Sequence, residues 1–363
     1  MRIPTIIVFI LTALTARCGL MCNTDTIPAT DNSNWWIQRI KAKNFDIRDT
    51  TIVYPKFARF CVDVYDWADN TFNAVNREYI SGTGKRWKVR LINDNWVDSY
   101  AMNINGNLPL HMRNDIYSNI GVSLQYMAVS VGYSVNLNTL GNEKKSGRKR
   151  FDFGFNCARF DVSLYYTKNT DGTYIHKLGN TTDIKHLFPG LNLNSFGIDG
   201  VYFFNNMKYS HGAAYNFSKF QLKSCGSFIA GISYLNQDIT LDFSTLDTDL
   251  LQSIDADSRN LKFHYANYCL IGGYGYNLVF NRHFLFNITA IPSVGLAKCY
   301  DDSTESNSTL LSLNAKLRMA LTYNYRNFFV GMQGRMDGNW YDSSKFSLYN
   351  SIFTLSTSLG LRF

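Results

Sequence analysis

The stretch KYSHGAAYNF (208–217) sets a hydroxyl, Ser210, beside an imidazole, His211. A serine next to a base is the apparatus of acyl transfer, and barrel-shaped lipid hydrolases carry such a pair on the wall near the lipid. Neighbours on a strand point to opposite faces, so on a strand these two cannot act as a dyad. His264 and His283 fall near strand ends, and Glu78, Glu143 and Glu305 are the only glutamates, although an aspartate could still orient a base. Cys61, Cys157, Cys225, Cys269 and Cys299 are widely spaced, with no C-x-x-C pair and no histidine at zinc spacing. They read as small apolar strand residues, and their odd number leaves at least one unpaired. Asp242, Asp247, Asp249, Asp255 and Asp257 suggest a calcium loop, but the D-x-D-x-D-G order is missing. The run EKKSGRKR (143–150) could engage phosphates of lipid headgroups or lipopolysaccharide. Solvated loops account for both. No residue is assigned to catalysis, to a cofactor or to a metal.

Charges at strand spacing are more telling. Lys316 and Arg318 share one face of a segment, and Gln333, Arg335, Asp337 and Asn339 share one face of the next. These six are the candidate lumen-lining residues. Charges of both signs inside a barrel either line a conduit or pair and fill the interior.

The elements that must hold them are strands. From Thr309 to Tyr325, Leu311, Leu313, Ala315, Leu317, Met319, Leu321, Tyr323 and Tyr325 occupy one face, with mainly polar residues on the other. Soluble strands usually run ~5–6 residues and membrane-crossing strands ~9–11, so this alternation suits lipid on one side and water on the other. Phe328 to Trp340, Val129 to Leu137 and Phe228 to Tyr234 repeat the pattern. Aromatic residues make up 15% of the 363, charged residues only 18%, and the net charge is +8. Such a composition fits an all-β chain with aromatic girdles.

The apolar pattern changes phase near Met127, Cys157-Ala158, Asn205-Asn206 and Asn281-Arg282, which marks turns. Longer polar stretches at 138–150, 168–195, 240–260 and 299–309 read as loops, and Asn205 to Lys208 reads as a tight hairpin between YFF and YSH. Apolar residues from Phe57 to Tyr79 recur every three to five positions, the mark of an amphipathic helix. Arg2 and the apolar run Ile6 to Ala16 form a secretory leader too short to span a membrane. The expected division is a leader over 1–22, an N-terminal extension over 23–85 with a helix at 57–79, and a barrel over 86–363. The expected fold is all-β, an antiparallel transmembrane β-barrel of about 12 strands, within 10–14. A soluble β-sandwich is the alternative.

The final segment alternates Phe353, Leu355, Thr357, Leu359, Leu361 and Phe363 with small or polar residues. A terminal Phe on such a strand resembles the signal by which bacterial outer-membrane barrels reach their assembly machinery. Closure then requires the last strand to pair with the first. The blocks at 82–103, 124–137, 153–160, 172–179 and 196–234, above all YFFNNMKYSHGAAYNFSKFQLKSCGSF, resemble the Bacteroidetes outer-membrane barrel family catalogued as a domain of unknown function, DUF4421. That resemblance implies an outer-membrane location and no reaction. The expected surroundings are outer-membrane lipid, lipopolysaccharide and the barrel-assembly machinery, with nucleic acid excluded by export. Three roles stay open: a non-enzymatic structural or surface-interaction barrel, a selective or plugged channel for small solutes, and a lipid-modifying enzyme.

Overall fold

The computed structural model describes residues 36, 40, 52–104, 108–126, 129–137, 149–170, 173–179, 181–252, 254, 256, 259–302, 309–342 and 346–363. The expected leader, the phase change at Met127, the basic residues 143–148, Asp255 and Asp257 lie outside the described residues. The chain divides into two compact units, 1–67 and 68–363. A helix runs Lys56–Phe72, shorter than expected. Asn73 turns back onto Asp69, and the Asn76 side chain accepts from the Glu78 backbone N–H at 2.9 Å. Asparagine side chains that bond nearby backbone compete with helix, which explains the early stop.

Strands follow in chain order. The first are β1 (Ile80–Gly82), β2 (Trp87–Ile104), β3 (Leu108–Asn114), β4 (Tyr117–Tyr126) and β5 (Val129–Asn136). Next come β6 (Lys149–Asn156), β7 (Phe160–Asn169), β8 (Thr173–Leu178), β9 (Thr181–Leu187) and β10 (Leu191–Phe203). Then come β11 (Lys219–Gln221), β12 (Cys225–Asp242), β13 (Asn260–Val279) and β14 (Phe284–Asp302). The last are β15 (Thr309–Tyr325), β16 (Phe328–Asp342) and β17 (Phe346–Arg362). One antiparallel path runs β5-β4-β2-β17-β16-β15-β14-β13-β12-β10-β7-β6, twelve strands whose two ends are consecutive in the chain. The last strand does pair with the first long one, from Phe346 opposite Ile104 to Arg362 opposite Lys88. Strand β2 forks. Its Trp87–Trp96 part pairs β4, and its Ser99–Ile104 part pairs β3, which leads on to β8 and β9. The stretch 168–195, expected as a loop, thus carries the β8-β9 hairpin, whose short mixed strands hide the alternation.

The sheet is inside out. On β15, Ser312, Asn314, Thr322 and Asn324 are buried, while Leu311 and Leu321 are exposed at 57% and 44%. A soluble sandwich would reverse this, because an exposed apolar face that large has no place in water. The apolar side faces lipid, and the polar side faces the interior. This is an all-β antiparallel transmembrane barrel. One end has tight turns such as Arg326-Asn327, where Arg326 takes φ 50° as a two-residue hairpin requires. The opposite end carries the longer connections.

Candidate functional site

Between β10 and β12 the chain does not make a hairpin. Residues 204–224 turn inward, and the short helix His211–Tyr215 lies buried inside the barrel. The NNMK stretch therefore leads into a plug, and YSH is not a strand: Ser210 caps the helix by accepting from Ala213 N, and His211 opens it. The small side chains of Gly212, Ala213 and Ala214 let the helix come close to the wall; Gly212, Ala213 and Ala214 are all buried.

A buried helix end leaves carbonyl groups that need donors. The wall supplies them. Thr322 Oγ1 donates to Ala214 O at 3.2 Å, and Gln333 Nε2 donates to Tyr215 O at 2.9 Å. Lys88 Nζ binds Asn216 O, and Arg362 Nε donates to Phe217 O at 2.9 Å. Upstream, Asn277 Nδ2 donates to Ser210 O at 2.9 Å, and Tyr215 OH donates to Asn287 Oδ1 at 2.7 Å. Strands β2, β13, β14, β15, β16 and β17 all hold the plug. Phe217 has φ 54°, a left-handed conformation unusual for a bulky residue. Its ring stacks on Phe329 at 4.5 Å, and the Arg362 guanidinium covers Phe329 at 4.6 Å.

At the other end the interior is filled with apolar side chains. Met102, Leu110, Ile175, Phe188, Leu241 and Phe263 belong to one buried cluster, in which Phe188 stacks on Phe243 at 5.2 Å. Between the two closures lies a polar cavity of about 410 Å³. Arg90, Asp94, Asp161, His211, Arg318 and Arg335 contribute its charged or titratable lining.

The candidate residues fall as follows. Arg318, Gln333 and Arg335 border this cavity, and Gln333 also fastens the plug. Lys316 reaches across to Asp199 on β10, and Arg335 binds Asp337 two residues along its own strand. Asn339 is half-buried opposite Asn314 and Asn350. Phe363 is exposed, and its backbone exchanges both hydrogen bonds with Trp87 at 3.0 Å. Lys88, Arg90, Asp199 and Arg362 are functional candidates that the sequence reading missed. The alternation of Lys88 and Arg90 with Val89 and Leu91 carries the same signal that revealed Lys316 and Arg318. Cys61, Cys157, Cys225 and Cys269 are free thiols. Asp242 bonds Ser244 N at 3.0 Å, a local cap. Among the described residues, no three His, Cys, Asp or Glu side chains converge as metal ligands.

His211 is stacked between Phe203 at 5.0 Å and Tyr215 at 4.4 Å, and its Nδ1 finds no hydrogen-bond partner. Burial is the main cause that lowers its pKa from 6.5 to about 4, with Asp161 opposing and Arg318 adding. The folded chain therefore binds fewer protons than the unfolded chain between those values. Stability is complete above pH 6.5 and falls by about 3 kcal/mol as pH drops toward 4. Denaturation in detergent at about pH 7.5 and about pH 4 is expected to show that loss in the wild type. In His211→Asn this part of the pH dependence should vanish.

An inside-out antiparallel sheet around a plugged polar chamber places the chain among transmembrane β-barrels. Its family is equally definite. The chain belongs to the family described as Domain of unknown function (DUF4421), whose model matches residues 73–363. No curated protein matches. Among solved structures, the chain is similar to the outer membrane protease OmpT from Escherichia coli at 9% identity and a TM-score of 0.36, over 78% of this chain and 98% of that one. The attachment invasion locus protein Ail of Yersinia pestis matches at 8% identity and TM-score 0.22, over 75% and 98%. The P. putida toluene transporter TodX matches at 8% identity and TM-score 0.27, over 77% and 90%. None of these bears on what the chain does.

Proposed function

We propose that the protein is a closed, non-enzymatic barrel of the bacterial outer membrane, exported by a cleaved leader and serving as a structural or surface-interaction component. The observation that carries this reading is the plug: an inner helix at whose end four successive carbonyls, from Ala214 to Phe217, are taken up by wall side chains. The apolar cluster at the opposite end supports it, since a core of Leu, Ile and Phe leaves no wetted path. Lys316 and Asp337 then fill the interior as members of ion pairs. The exposed apolar belt meets lipid, the loop end meets lipopolysaccharide, and Phe363 serves the assembly machinery. Ser210 is occupied as a helix cap, which argues against its use as a nucleophile.

Planar-bilayer recording tests the reading. Well-folded wild-type barrel, shown by heat-modifiable gel mobility, is expected to give no stepwise current. Regular conductance steps from the same preparation would replace the closed barrel with a solute channel.

A further inference from the structure

The polar chamber holds buried guanidinium N–H groups without acceptors. Arg318 on β15 lies directly opposite Arg335 on β16, and like charges across a ladder repel. Three nearby carboxylates are already engaged. Asp337 binds Arg335, and Asp199 binds Lys316. Asp161 accepts from Asn156 at 2.7 Å and Ser163 at 3.0 Å. Arg318 Nε and Arg90 Nε are both buried without a hydrogen-bond partner. With Arg335 paired to Asp337, the lining sets Arg90 and Arg318 beside Asp94 and Asp161, so what is left over is the two guanidinium Nε donors and not a net charge. Guanidinium keeps its charge at any ordinary pH, so it cannot escape burial by losing a proton. A buried N–H donor left without an acceptor costs about 1–3 kcal/mol, and a bound anion supplies the acceptor.

We propose that this chamber is a binding site for a small phosphate-bearing anion, held between Arg90 and Arg318. Arg90 on β2 and Arg318 on β15 approach from different strands, and Ser356 adds a hydroxyl to the same lining. Donors arriving from several directions suit a tetrahedral oxyanion, whereas a flat carboxylate is satisfied by a single guanidinium fork. A volume of about 410 Å³ admits a phosphate ester. Ser134 of β5 and Gly154 of β6 also border the cavity, and these strands are the two ends of the sheet. The phosphate group enters on that side, either free in solution or as a lipid headgroup. Binding there is compatible with a closed or a conducting barrel, so the bilayer recording does not decide it.

The test uses the whole chain folded in detergent and titrated with inorganic phosphate against chloride at matched ionic strength. Phosphate is expected to raise the melting temperature and to broaden the phosphorus NMR line. Arg318→Gln should weaken that affinity about tenfold or more, since it removes a charge-assisted contact. Lys185→Gln, at an exposed residue of β9, should leave it unchanged. A second arm compares nanodiscs of phosphatidylglycerol and phosphatidylcholine without added phosphate. A stabilisation by phosphatidylglycerol that depends on Arg318 identifies the headgroup as the source; the same dependence for soluble phosphate identifies a free ligand. Arg318→Lys, which keeps the charge, serves if the glutamine variant does not fold, and should bind with intermediate affinity. The proposal falls if neither source affects the wild type. It also falls if the response persists unchanged in both Arg318→Gln and Arg90→Gln.

Discussion

Replacing Gly331 with leucine is expected to unseat the plug and lower stability by on the order of 3 kcal/mol. Gly331 lies on β16 between Thr322 and Ser358, held by ladders on both sides. A Cβ built there collides with the ring of Phe217. The strand cannot retreat without breaking its pairing, so the ring must leave. Phe217 is also the residue held at φ 54°, a conformation that costs roughly 1–2 kcal/mol and persists only while its surroundings enforce it. Once the ring loses its place against Phe329, nothing offsets that strain. A lower denaturation midpoint in detergent is the measurement. Gly331→Ala should show a milder form of this loss. Adding Phe217→Ala to it should recover part of the loss, with a coupling of about 1–3 kcal/mol in the double-mutant cycle. Additive effects would mean that the glycine and the ring do not share one space.

A comparable loss is expected from Lys316→Met. The Lys316–Asp199 pair is the buried bridge across the interior, with side chains only 10% and 7% exposed. Lys316 also lies over the Tyr165 ring at 5.5 Å, and Ser233 Oγ donates to Asp199 at 2.6 Å. Removing the ammonium leaves a buried carboxylate with a hydroxyl as its remaining partner. Breaking one side of such a pair costs about 3–5 kcal/mol. Removing both charges, with Lys316→Met and Asp199→Asn together, should restore most of that. The exposed Lys185–Asp115 pair is a fitting contrast, since its removal should change stability by no more than about 1 kcal/mol. Chemical denaturation in one detergent compares all the variants. If the double variant is as unstable as Lys316→Met alone, the loss comes from packing and not from an unpaired charge.

The contrast between β15 and the plug shows which parts of the molecule could be read from sequence. Lipid on one face and a polar interior on the other force a period of two, so Leu311 to Tyr325 announces its own strand. The pairing of the last strand with the first long one follows from the cost of an open edge in hydrocarbon, and the β17-β2 ladder is that pairing. The plug has no such signature. Ser210 to Asn216 is too short to show a helical period, and its burial comes from the surrounding wall. Its donors, Lys88, Thr322, Gln333 and Arg362, come from strands far from it in the chain. The inward charges of β15 and β16 were legible, but their partners were not. Asp199 is 117 residues from Lys316, and no local pattern connects them.

The plug is clasped by Lys88 and Arg362, which face each other as paired residues on the first and last long strands. Nearly the whole chain separates these two residues, so the clasp forms only after the most distant ladder has zipped. A half-built barrel therefore has an unlatched gate. Latching the plug thus comes late in assembly, and a seated plug reports that the first and last long strands have met.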